Sequence, residues 1–193
     1  MMIHARQMKS PRSAIIVFSV LQAILAAGRA DDGMTLYPIG GTVSTTIAFG
    51  DAYANAMEIY DAMITLIEVL RGEKAWELIR KESTSNRQPP AGFEYVLARI
   101  RFEYMARGKP GDKLYALRED QFIAFSSDGI TQYPAAAVVL PSPKLGRTMR
   151  SGDVSEGWVA LLVSRSDRNP FMAFHADVHL LSHTGIGPAF RLY

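Results

Sequence analysis

The sequence predicts an all-β fold, a sandwich or barrel of seven or more short strands with one short helix. Three observations carry that reading. Segments rich in β-branched and aromatic residues recur along the chain, turn signals separate them at regular spacing, and the longest segments alternate with a period of two. With 193 residues, 48% hydrophobic and 21% charged, the chain has room for one domain of ordinary size. The same figures exclude wholesale disorder, collagen and coiled coil.

Residues 31–41 read as an irregular lead-in broken by Pro38, Gly40 and Gly41. Residues 42–49 (TVSTTIAF) are β-branched and form the first expected strand. Residues 56–70 fit two templates. Ile59, Tyr60, Met63, Ile64, Ile67 and Leu70 match a helix face, whereas residues 64–69 alternate like a strand. Residues 73–81 are the clearest helix, with early acids, late bases and an apolar side of Ala75, Trp76, Leu78 and Ile79. Trp76 is expected to plug one end of the sandwich.

A polar loop with Pro89 and Pro90 precedes the best strand, residues 93–104. Val96, Ala98, Ile100, Phe102 and Tyr104 share one of its faces, and Arg99, Arg101 and Glu103 share the other. Residues 108–112 form a turn. Residues 114–117 and 121–125 are short strands, and Ser127, Asp128 and Gly129 turn the chain again. Residues 132–140 are a further apolar segment ended by Pro141 and Pro143. Lys144, Arg147 and Arg150 read as a solvated connection. Residues 158–163 are apolar on both faces, which predicts a central strand covered on each side. Residues 171–181 alternate with Met172, Phe174, Ala176, Val178 and Leu180 inward, and residues 190–193 form a short last strand.

The first 30 residues differ from the rest. Arg6, Lys9 and Arg12 form a basic start, residues 14–27 an apolar run, and Ala26, Ala27, Gly28 and Ala30 a small-residue end. That order is a secretory signal peptide, too short and mixed for a membrane span of about 20 apolar residues. Cleavage is expected after Ala30, with Ala27 as second choice. The domain organisation is then residues 1–30 as signal peptide and 31–193 as one β-sandwich domain. Removing the leader takes away four basic residues and no acid, leaving 17 basic and 19 acidic, a net charge of −2. A nucleic-acid role thus loses its electrostatic support. With no cysteine, the chain has no disulfide framework, no thiolate metal site, no cysteine nucleophile and no lipidated cysteine anchor.

The sharpest candidate chemistry is His175, Asp177 and His179, with His183 beyond. On a strand, the first three share the face opposite the core residues, and imidazole and carboxylate suit a transition metal. Yet His175 and His179 stand about 13 Å apart along a strand. Metal–nitrogen bonds are only about 2 Å, so both rings do not reach one ion unaided. A solvated face titrating near pH 6.5 is the expected outcome. Gly-x-Ser-x-Gly, P-loop and His-Glu-x-x-His motifs are absent from the sequence.

Residues 70–104 carry a recognisable order: Arg71-Gly72 before Ala75-Trp76, then Pro89-Pro90 and Gly92-x-Glu94-Tyr95. Asp120-x-Phe122, Asp128-Gly129 and Glu156-Gly157-Trp158 follow. In these features the chain resembles a bacterial exported immunoglobulin-like family (domain of unknown function 4352), similar in fold to the mycobacterial secreted immunoprotective antigen. The resemblance implies an immunoglobulin-like β-sandwich behind a leader, with no established reaction and no catalytic residues to carry over. The expectation is an exported, non-enzymatic protein of the cell envelope or surroundings, an extracellular binding or interaction module without a cofactor. Its partner would be a protein or envelope component, with no nucleic acid and no membrane span in the mature chain. The alternative is a metal- or small-ligand-binding carrier using residues 175–183.

Overall fold

In the computed structural model, which describes residues 34–51, 56–108, 113–176 and 187–193, the best-patterned strand of the sequence, residues 93–104, becomes a central strand of one sheet. The elements are β1 (Leu36–Tyr37), β2 (Thr42–Asp51), β3 (Ala56–Arg71), α1 (Glu73–Glu82), β4 (Phe93–Ala106), β5 (Tyr115–Leu117), β6 (Phe122–Phe125), β7 (Arg147–Met149), β8 (Val154–Ser164), β9 (Phe171–Phe174) and β10 (Ala189–Arg191). The expected leader, the turn at 109–112 and the inward Val178 and Leu180 lie outside the described residues.

Two four-stranded sheets, ordered β2-β3-β4-β8 and β1-β10-β9-β6, form the sandwich, and β5 pairs with β7 beside them. The alternation of β4 decides what faces the interior. Val96, Ala98, Ile100, Phe102 and Tyr104 are fully buried and meet Phe122, Met172, Phe174 and Phe190 of the other sheet. The Phe102 and Phe174 rings lie 5.5 Å apart across the sandwich. Burial of this apolar area is the main stabilising term.

The ambiguous segment 56–70 is a strand. It pairs antiparallel with β2 on one side and β4 on the other. Its register against β4 slips between Leu66 and Glu68, a β-bulge. Before the bulge the even-numbered Tyr60, Ala62, Ile64 and Leu66 face the core, and after it Val69 does. That change of parity is what made the apolar spacing imitate a helix.

Helix α1 lies against the outer face of β4 and β8. Ala75, Trp76 and Ile79 pack on Tyr95, Leu97, Trp158 and Leu162, so Trp76 covers a sheet face rather than an end. Arg71 ties the start of the helix down. It donates to Glu94 Oε1 and to the carbonyl oxygens of Asp167 and Arg168. These contacts make the Arg71-Gly72 and Gly92-x-Glu94 features structural.

Four expectations change. The lead-in contains β1, which pairs in parallel with β10. The apolar segment 132–140 makes only isolated bridges, because Pro134 and the short alanines offer no continuous ladder. The connection after Lys144 is not wholly solvated: Leu145 is buried and Arg147–Met149 forms β7. Finally, β8 is the last strand of its sheet, not a central one. It is buried on both faces because α1 covers one side and the other sheet the second. Its free edge is filled by the 132–146 segment. Trp158 N donates to the Pro143 carbonyl, and Ser155 Oγ donates to the Leu145 carbonyl. Gly157 permits that approach, since a Cβ there would stand 2.3 Å from Leu145 N.

No helix among the described residues is long and apolar enough to cross a membrane.

Candidate functional site

The opposite edge of the same sheet, β2, borders a cleft of about 460 Å³. This falls in the range of about 300–1,000 Å³ usual for ligand sites. Residues 45–49 line it without a gap. Successive strand residues point to opposite faces, so five in a row can share one cleft only along the strand's edge. The rest of the lining includes Tyr115, Arg118, Gln121, His175 and Pro188.

Gln121 organises this lining. It is buried just before β6, where its backbone carbonyl accepts from His175 N at 2.8 Å. Its side-chain Oε1 accepts from Arg118 N and its Nε2 donates to the Ala176 carbonyl, each at 2.9 Å. Tyr115 Oη donates to the same carbonyl at 2.8 Å. These side chains hold the backbone past the end of β9 in place of a strand ladder. Gly187 completes the arrangement, because a Cβ there would meet the Phe174 carbonyl oxygen at 2.0 Å.

His175 therefore does not sit on a solvated strand face. β9 ends at Phe174, and the imidazole of His175 is half-buried. Burial disfavours its charged form and lowers its pKa from 6.5. Its Nε2 is screened from water and has no hydrogen-bond partner among the described residues. Arg118 shows the same incompleteness. Its Nε donates to Asp120 Oδ1 at 3.0 Å, while its buried Nη2 has no partner among the described residues. Arg118 is the charged residue of the cleft lining among the described residues, and no carboxylate accompanies it there.

Of the expected metal ligands, His175 is in the cleft, and Asp177 and His179 lie outside the described residues, as does His183. Among the described residues no group of three or more His, Cys, Asp or Glu could hold a metal ion. The expected outward stripe on β4 is neutralised by two ion pairs, one across to β8 and one along β4 itself. Arg99 pairs with Glu156 at 2.6 Å and lies over the Trp158 ring, and Arg101 pairs with Glu103 at 3.0 Å.

A second cleft of about 500 Å³ lies between β6 and the 132–140 segment, lined by Ala135, Ala136, Val138 and Leu140 among others. Arg118 stands where the two meet. Sequence reasoning found His175 and read residues 42–49 as a strand, but placed neither that strand nor Arg118 and Gln121 at a site. The distinctive signal at β2 is nine residues, 42–50, without a charge or a proline.

No family model and no curated protein matches this sequence. Among solved structures, a secreted protein from Mycobacterium tuberculosis, MPT63, is similar at 11% identity and a TM-score of 0.45, over 83% of this chain and 99% of that chain. At that level the likeness adds nothing to the fold assignment, which rests on the strand order and core described above.

Proposed function

We propose that this chain is an exported, non-enzymatic binding module of the extracellular space or cell envelope. The observation that carries the reading is the cleft beside β2, which, among the described residues, combines an open strand edge with two polar atoms that lack partners. Buried polar groups are ordinarily satisfied, and each exception calls for a water, an ion, a ligand or a partner to complete it. Thr45 and Thr46 share the lining with His175, but among the described residues no hydrogen bond joins either hydroxyl to the imidazole, which supports recognition over covalent chemistry. Export is supported by the basic start, apolar run and small-residue end of residues 1–30. Kinship with the exported immunoglobulin-like family belongs to the same proposal, supported by the order of motifs from Arg71 to Trp158.

Two measurements test it together. N-terminal sequencing of the envelope and culture-medium fractions should begin near Asp31. Intact Met1 on a protein confined to the cytoplasm defeats export. Cross-linking in those fractions should join the chain to a partner through Leu114, which lines the cleft and is 52% exposed. Cross-links that avoid the cleft defeat its role.

A second reading, a metal carrier using His175, Asp177 and His179, is favoured by the unpartnered Nε2 of His175. Zinc at 100 times its dissociation constant would then stabilise the fold by about 2.7 kcal/mol, and His175→Ala would remove the effect.

A further inference from the structure

The two edges of the β2-β3-β4-β8 sheet are treated differently. The β8 edge is covered by the 132–146 segment, which bonds to it through Pro143 and Leu145. The β2 edge has no such cover among the described residues. Among the described residues, the backbone of 42–50 bonds only within the β2–β3 pairing. β2 also lacks the usual protections of an exposed edge. It is ten residues long, runs in unbroken register with β3, and carries no lysine, no proline and no charge before Asp51. Natural sheets blunt such edges unless a partner strand uses them.

We infer that the cleft beside β2 takes an extended peptide segment of a partner protein, added as a fifth strand, with a carboxylate side chain of that segment meeting Arg118 and His175. The inference rests on the binding-module reading and supplies its partner class. Residues 45–49 span roughly 17 Å of edge, enough for a five-residue strand. Among the described residues, Arg118 Nη2 and His175 Nε2 are the lining atoms without a hydrogen bond, and the one carboxylate on the guanidinium, Asp120 at Arg118 Nε, stands outside that lining. A second copy of this chain pairing through its own β2 fits less well, because the one carboxylate of β2, Asp51, is its last residue and lies beyond the 45–49 stretch that lines the cleft. A metal ion fits less well again, since the lining offers one imidazole and no carboxylate.

The test is a displayed library of random eight-residue peptides selected on the immobilised full chain, followed by solution binding of the best peptide. Recovered sequences should alternate β-branched residues and carry an Asp or Glu at one position. Amide protection on binding should centre on residues 45–49. Alternate N-methylation of the peptide, which removes its ladder hydrogen bonds and leaves the protein untouched, should weaken binding at least tenfold. Replacing the peptide acid by its amide should cost about tenfold, the scale of one charge-assisted hydrogen bond, and Arg118→Gln should abolish that difference. Failure to recover peptides, recovery without an acid, indifference to N-methylation, or a β2-mediated dimer in solution each overturns the inference. A partner cross-linked through Leu114 by a folded surface, together with any of those results, leaves the binding-module reading standing and removes this one alone.

Discussion

Replacing Gln121 by leucine probes the device that shapes the cleft. Gln121 is 1% exposed and makes one side-chain hydrogen bond at each end. Leucine keeps the approximate volume and removes both bonds. The Arg118 N–H then loses its acceptor, at a cost of about 1–3 kcal/mol where it stays out of water. The Ala176 carbonyl keeps its bond from Tyr115 and loses about 0.5–1.5 kcal/mol. The expected destabilisation is about 2–4 kcal/mol. Tyr115→Phe alone removes the other donor to the same carbonyl and should cost about 1 kcal/mol. In the double variant that carbonyl has neither side-chain donor, so the loss should exceed the sum of the single changes by about 1 kcal/mol. Urea unfolding of the four proteins, read with a common slope, measures each value. Additivity within about 0.3 kcal/mol, or a cost for Gln121→Leu below about 0.5 kcal/mol, refutes the shared-acceptor reasoning.

Three further outcomes are expected. Gly157→Ala should cost about 3 kcal/mol or more, since the added carbon meets backbone on the 132–146 segment, and thermal melting checks it. Trp158→Ala should destabilise by about 3–5 kcal/mol, because the ring joins helix to sheet at 6% exposure, again read by urea unfolding. His175 gives a pH dependence whose sign follows from its burial. The unfolded imidazole titrates near 6.5 and the folded one below it, so the unfolded chain binds more protons between the two values. Stability should therefore fall as the pH drops through and below 6.5. His175→Gln should flatten that part of the curve, and an unchanged slope in the variant would contradict the buried imidazole.

Much of the fold was legible because its signals are local. The two-residue period of β4 specified both its faces, and α1 announced itself by charge order and an apolar side. Where the reading stopped, a non-local cause is visible. The bulge at residue 67 shifts the parity of β3, so no single period fits the whole segment. The run around Trp158 is apolar on both faces, which says it is covered but not by what. The cover is a helix on one side, a sheet on the other and an irregular segment along the edge. The site was less legible still. Thr45, the Arg118–Gln121 turn and His175 lie far apart in sequence and meet only through the packing of the two sheets. The alternation of residues 171–181 placed His175 on a strand, but Gln121 and Tyr115 bind the Ala176 carbonyl and the strand ends before it.

Backbone hydrogen exchange of the unliganded full chain tests most directly whether β2 offers an open edge. β4 is paired on both sides, so its amides should exchange slowly throughout. β2 is paired on one side, so alternate amides within residues 42–50 should exchange much faster than those of β4, while the intervening ones are protected. Uniform protection along β2 at the level of β4 would show that the edge is already filled, and would contradict the account.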